Sequence, residues 1–203
     1  SHRYKVPSFI AFQTRPLQDM LSDIEKMRFV IDKSGSPKCE ALDNYKLSIG
    51  QSVYRMGVGG LHSSEKSIAH HSDDNYVLLD RDVASYYPAI ILNCGLYPKH
   101  IGPEFLNVYR SIVTRRLAAK KAKDSVTADA LKITINGSFG KFGSKYSVLY
   151  SPDLLIQTTV TGQLSLLMLI ESLEEHGISV VSANTDGIVI KCHRSKLDEL
   201  NSL

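Results

Sequence analysis

Leu17, Met20, Leu21, Ile24 and Met27 recur at spacings of three and four, so residues 16–29 are predicted to form an amphipathic helix. Gly, Ser and Pro punctuate 33–38, and the alternating stretch from Tyr45 to Met56 is predicted to supply strands. A glycine-rich turn, Gly57-Val58-Gly59-Gly60-Leu61-His62-Ser63, leads into a polar loop ending at Asp73-Asp74-Asn75. The apolar run Tyr76-Val77-Leu78-Leu79 has strand length and delivers Asp80 and Asp82. A helix is expected near Pro88, since proline is tolerated in a first helical turn. Two more helices are predicted over 104–123 and 126–143, joined at Lys123-Asp124-Ser125, and Tyr146 to Leu149 reads as a strand. Pro152 precedes a long helix, 153–176, which stops at His176-Gly177. Ile178 to Ala183 and Ile188 to Lys191 are β-rich runs around Asn184-Thr185-Asp186-Gly187, a hairpin with an acid at its tip; a last helix follows Ser195.

The composition, 43% hydrophobic and 22% charged over 203 residues, predicts one globular domain, with or without a small insertion, and excludes a disordered or collagen-like chain. No uninterrupted apolar run approaches the ~20 residues of a membrane helix, so no membrane partner is expected. The opening Ser1-His2-Arg3-Tyr4-Lys5 has neither initiator Met nor the apolar stretch of a signal peptide, and is read as the start of an excised or processed piece. Cys39, Cys94 and Cys192 are odd in number and widely spaced, which predicts buried small hydrophobes in a reducing compartment and no structural zinc.

Net charge is only +3, but residues 110–145 hold nine basic residues against Asp124 and Asp129, a local charge of +7 in a chain that is otherwise at −4. A basic helical stretch on a mildly acidic body is the footprint of phosphate binding. Three constellations carry candidate chemistry. In Asp82-Val83-Ala84-Ser85-Tyr86-Tyr87-Pro88 a carboxylate ends a strand, and a helix start with free amides follows. In Lys132 to Gly143, the positions Lys132, Asn136, Phe139, Gly140 and Gly143 share one helical face, a stripe of cation, amide, ring and bare backbone suited to a nucleotide. The third is the hairpin carrying Asp186.

These segments, D-x-x-S-x-Y-P, K-x-x-x-N-x-x-[YF]-G and a hairpin T-D in that order, resemble motifs A, B and C of family B DNA polymerases over about Gly57 to Lys191. The short spacing and the Lys141-Phe142-Gly143 tail most resemble bacteriophage members. The resemblance implies an α+β fold, a polymerase palm of antiparallel sheet with helices on one face and a short helical fingers insertion. Residues 1–75 would be the N-terminal part of the palm and linker, 76–103 palm with motif A, 104–145 fingers with motif B, and 146–203 palm with motif C. It implies template-directed DNA synthesis with two Mg²⁺ ions, held by Asp82, Asp186 and the Val83 carbonyl. Ser85, Tyr86, Tyr87, Arg116, Lys120, Lys132 and Asn136 would bind the nucleotide, with Tyr87 as the sugar gate; Arg115 and Lys121 are adjacent alternatives to the basic pair. Gly59 and Gly60 match a template-binding Y-x-G-G segment, although Gly57 stands at the tyrosine position. Primer–template DNA and dNTPs are the implied partners, together with exonuclease and thumb domains not recognisable in this chain. The implied location is the cytoplasm of a bacterium or phage-infected cell.

The chain departs from the family pattern in three places. Motif C reads Ser182-Ala183-Asn184-Thr185-Asp186-Gly187, with an amide for the first carboxylate; Asp80, on the same strand face as Asp82, is either a substitute or a surface acid. Motif B has Phe139 for tyrosine and Gly137 for serine. Asp23-Ile24-Glu25 imitates an exonuclease motif but falls in a helical pattern, and His70-His71 beside Asp73-Asp74 is discounted as a metal site. A non-catalytic primer–template-binding remnant is the alternative; a reverse transcriptase or RNA polymerase is disfavoured by Tyr87 and the Lys132/Asn136 helix.

Overall fold

The computed structural model describes residues 1–64, 72–82 and 85–203. In chain order the elements are α1 (Arg15–Lys26), β1 (Val30–Ile31), β2 (Pro37–Lys38), α2 (Glu40–Asp43), β3 (Lys46–Ile49), β4 (Ser52–Arg55), β5 (His62–Ser64) and β6 (Tyr76–Asp82). They continue with α3 (Tyr86–Cys94), α4 (Glu104–Lys121), α5 (Ser125–Lys141), α6 (Pro152–Glu175), β7 (Ser179–Asn184), β8 (Gly187–His193) and α7 (Leu197–Ser202). The fold is α+β, with every strand pair antiparallel. The chain forms two compact units: a sheet unit of residues 3–28, 39–84 and 159–203, and a helical unit of residues 1–2, 29–38 and 85–158.

The sheet unit holds two three-stranded sheets, β3-β4-β5 and β6-β8-β7. β8 lies between β6 and β7, so motifs A and C meet on one ladder: Asp82 pairs with Gly187 and Asp80 with Val189, while Asn184 and Ser182 pair with the same two residues from the other side. The predicted α1 stripe is the buried one, with Leu17, Met20 and Ile24 almost fully enclosed. In place of a side-chain cap at Thr14, the main-chain amides of Gln13 and Thr14 donate to Glu171 of α6 at 2.8 and 3.0 Å, and the Thr14 hydroxyl adds a third bond at 2.6 Å. These donors explain how a carboxylate can be buried in an apolar helix. By length and composition alone α6 could cross a membrane, but 67% of that stretch is buried inside the protein, as in a core helix.

The helical unit packs Ile91, Phe105, Tyr109, Ile135, Phe142 and Leu154 into one apolar cluster. The predicted turn between the two basic helices is where Asp124 caps α5, accepting from the Thr127 amide at 3.1 Å. Gly143 falls two residues past α5, beside Leu155 rather than on an exposed stripe.

The structure corrects one predicted element and adds others. Tyr146 to Leu149 is a series of turns, with Ser147 N donating to Ser144 O (3.0 Å) and Tyr150 N to Ser147 O (3.1 Å). The segment pairs with no strand among the described residues, and its serine hydroxyl competes for the backbone, accepting from the Leu149 amide to close a turn in place of a ladder bond. β5 was not anticipated inside the glycine-rich turn, nor was the two-residue β1–β2 ladder that closes around the Gly/Ser/Pro punctuation. All three cysteines are free thiols, Cys39 and Cys192 buried, as a packing role requires.

Candidate active site

Residues two apart on a strand share a face, and the register carries that alternation across three strands. Asp80 and Asp82 therefore line one open hollow of about 380 Å³ with His62, Ser63, Ser182 and Asn184. Both carboxylates are exposed, and among the described residues neither has a hydrogen-bond or ion-pair partner. Gly187 lies directly under Asp82: a Cβ at position 187 would stand 1.9 Å from Asp82 Oδ1. Glycine at 187 thus leaves the space that the neighbouring carboxylate occupies. Asn184 Oδ1 accepts from the Gly187 amide at 3.0 Å and closes the turn, a role an amide fills as well as a carboxylate does. Asp186 is exposed on the turn itself and does not line the hollow. Val83, expected to offer a carbonyl, and His70 and His71 lie outside the described residues.

The glycine-rich turn braces this hairpin. At Gly60 φ is +123°, and a Cβ there would meet Thr185 Oγ1 at 2.9 Å, so bare backbone is needed for the turn to approach motif C. Gly59 has open space around its Cα. Gln163 holds the turn's start with both ends of its amide, accepting from Gly57 N (3.1 Å) and donating to Gly57 O (2.6 Å). Ser63 of β5 makes a reciprocal pair with β7, its hydroxyl donating to Ala183 O at 3.0 Å and accepting from Ala183 N at 2.8 Å. That pair lies next to the register shift between Val180 and Ser182, where the ladder of β7 is irregular. Ser63 and Gln163 were missed in the sequence, where an isolated polar residue carries no sign of its long-range partner.

The other expected residues lie in the helical unit. Ser85 precedes α3 with φ 50° and ψ 50°, a left-handed conformation unusual outside glycine, and its hydroxyl accepts from Arg116 Nη1 at 3.0 Å. Arg116 Nε is buried without a partner among the described residues. Tyr87 stacks on Phe139, ring centroids 4.8 Å apart at 18°, and Tyr86 stacks on Tyr87 at 5.9 Å. Phe139 in turn meets Phe142 edge-on at 5.9 Å, and Phe142 meets Phe105. The motif A ring and the motif B ring are thus one aromatic stack, rooted in the core, and phenylalanine suffices at 139 because the position is used for its face. Lys120, Lys132 and Asn136 are exposed, with open space beside Gly137 and Gly140. Asp23 sits on α1 and accepts from the Tyr45 hydroxyl at 2.8 Å, which, together with burial, pushes that phenol up to about 12.

No protein-family model matches the chain. Over 136 residues, 61% of its length, it is 26% identical to the DNA polymerase alpha catalytic subunit of Xenopus laevis, and it spans 9% of that protein. A solved family B DNA polymerase from the hyperthermophilic archaeon Pyrobaculum calidifontis aligns with a TM-score of 0.47 and 18% identity, over 63% of this chain and 22% of that one. The chain is thus similar, over those 136 residues, to the catalytic subunit of a DNA polymerase, and spans only a small part of that protein's length.

Proposed function

We propose that the chain carries the palm and fingers of a DNA polymerase of the short-spaced, bacteriophage-like kind, which transfers a nucleotidyl group from a dNTP to a primer 3′-hydroxyl on a DNA template. The observation that carries this reading is the ladder that sets Asp82 of motif A opposite Gly187 of motif C. Two segments far apart in sequence there meet at one end of one sheet, with Asp82 closing β6 and Asp186 on the adjoining turn. Phosphoryl transfer asks the protein for charge stabilisation and alignment rather than covalent help.

The donors fit magnesium: Asp80, Asp82 and Asp186 offer hard oxygens, and the Val83 carbonyl would join them. Among the described residues no three His, Cys, Asp or Glu side chains form a closed cage, and magnesium is commonly held by one or two carboxylates with phosphate and water. Magnesium, when bound, supplies positive charge at the attacking and leaving oxygens. The chain's own residues do the rest. Arg116 offers a planar fork and Lys120 and Lys132 compact charges to the triphosphate. Tyr87, held flat by Phe139, lies under the sugar and excludes a 2′-hydroxyl.

The test is primer extension by the full-length protein with Mg²⁺ and dNTPs, run beside Asp82→Asn. Extension that survives the substitution removes the assignment. The neutral Asn184 favours a second reading, a remnant that holds primer–template without catalysis. That protein would bind DNA equally with and without Mg²⁺ and dNTP, and would extend nothing.

A further inference from the structure

The turns after α5 in the helical unit are tied down but not covered. Lys145 Nζ donates to Lys33 O at 2.9 Å, the Tyr150 hydroxyl donates to Gly35 O at 2.6 Å, and the Ser147 hydroxyl accepts from Leu149 N at 3.1 Å. Gly35, at φ +89°, passes so near that a Cβ on it would reach Lys145 Cβ at 2.8 Å. Between these ties the segment presents Tyr146 at 88% exposure and Val148 at 81%.

Charge narrows the choice of partner. Lys145 Nζ stands 5.2 Å over the Tyr146 ring, and among the described residues no other ring packs on that tyrosine. Lys33 and Lys141 are also exposed in this unit. The acid next in sequence to Lys33, Asp32, has its carboxylate occupied by Ser34 and Ser36, which hold it below the usual carboxylate range. An exposed ring flanked by cations matches a polyanion that carries flat bases.

We propose that Tyr146 is a stacking platform for an unpaired base of single-stranded DNA, with Lys145 and Lys141 against its phosphates. The proposal rests on the reading of this protein as one that handles DNA, and adds to it a surface for the strand outside the duplex. Stacking tolerates any base and depends on the ring face rather than on the hydroxyl.

The experiment measures binding of fluorescein-labelled oligo(dT) and of a blunt duplex to the full-length protein by anisotropy, for wild type, Tyr146→Ala and Tyr146→Phe. An oligonucleotide carrying 5-iodouracil is cross-linked in parallel and the adduct mapped. The expected result is a roughly tenfold loss of single-strand affinity in Tyr146→Ala, retention in Tyr146→Phe, unchanged duplex binding, and a cross-link at Tyr146. Unchanged single-strand binding in Tyr146→Ala overturns the proposal. So does a loss of self-association in sedimentation with DNA binding intact, which would make the patch an interface between copies. Because binding is read without synthesis, failure of the catalytic reading would appear in the Asp82→Asn extension assay and not here.

Discussion

Asp82 and Gly187 show how far one side chain depends on the absence of another. With 1.9 Å between a would-be Cβ and Asp82 Oδ1, Gly187→Ala must rotate the carboxylate away from the hollow. The same Cβ would stand 3.1 Å from the Arg81 carbonyl, so some loss of thermal stability should accompany a fall in primer extension of at least ~10²-fold, the scale of losing an electrostatic group at a reaction centre. Wild-type rates in Gly187→Ala would mean that Asp82 works equally well from another rotamer. Asn184→Ala removes one turn-closing bond to the Gly187 amide and no charge, so its loss of extension should be far smaller than that of Asp186→Ala. Equal losses would make Asn184 a direct participant. Tyr87→Ala removes the upper ring of the stack on Phe139 and should raise ribonucleotide use relative to deoxyribonucleotide in competition assays. Unchanged sugar discrimination would reduce Tyr87 to core packing.

At the level of elements, the α5 start offers a test of local physics. Asp124 caps α5, and its hydrogen bond from Thr127 holds its carboxyl below the usual carboxylate range. A depressed folded-state pKa means that this contribution is present above the unfolded value and disappears as pH falls through the folded one. Asp124→Ala should lower the melting midpoint at neutral pH by about 2–4 °C, and the gap to wild type should close below about pH 3. A gap that persists in acid would assign the effect to something other than the ionised cap. The same comparison shows why elements were unevenly legible. α1, α4, α5, α6 and the β7–β8 hairpin announce themselves by period and by their stops, because each buries one face against a core. The acids of β6 could be placed on one face from spacing alone, and the register then confirms it. β5 is His-Ser-Ser, with nothing apolar to betray it; it is a strand because it ladders with β4, and Ser63 ties it to Ala183 in a distant part of the chain. Tyr146 to Leu149 has the composition of a strand and lacks a neighbour to make it one. The sequence encodes faces and stops locally, whereas pairing partners and the room a glycine leaves are settled only in three dimensions.

Across the whole molecule, charge and acid chemistry are sorted into different parts of the chain. The nine basic residues of 110–145 all belong to the helical unit, and Asp80, Asp82 and Asp186 all belong to the sheet unit. Binding of DNA by the 203-residue chain alone should consequently be electrostatic. If four of the basic residues meet phosphates, affinity should fall roughly 10²-fold between 50 and 200 mM salt, since each contact contributes about −0.9 to the logarithmic slope. Synthesis should not follow binding. The chain spans 9% of the polymerase subunit it is similar to. A primer end misplaced by ~1 Å can lose 10²-fold in rate. The 203-residue chain and the full-length protein should therefore be compared in one extension assay at low salt, with binding measured on the same samples. The expected outcome is salt-sensitive binding by both and multi-nucleotide extension by the full-length protein alone. Sustained extension by the short chain would show that these two units hold a primer without help, and that the surrounding domains tune a reaction they are not needed to perform.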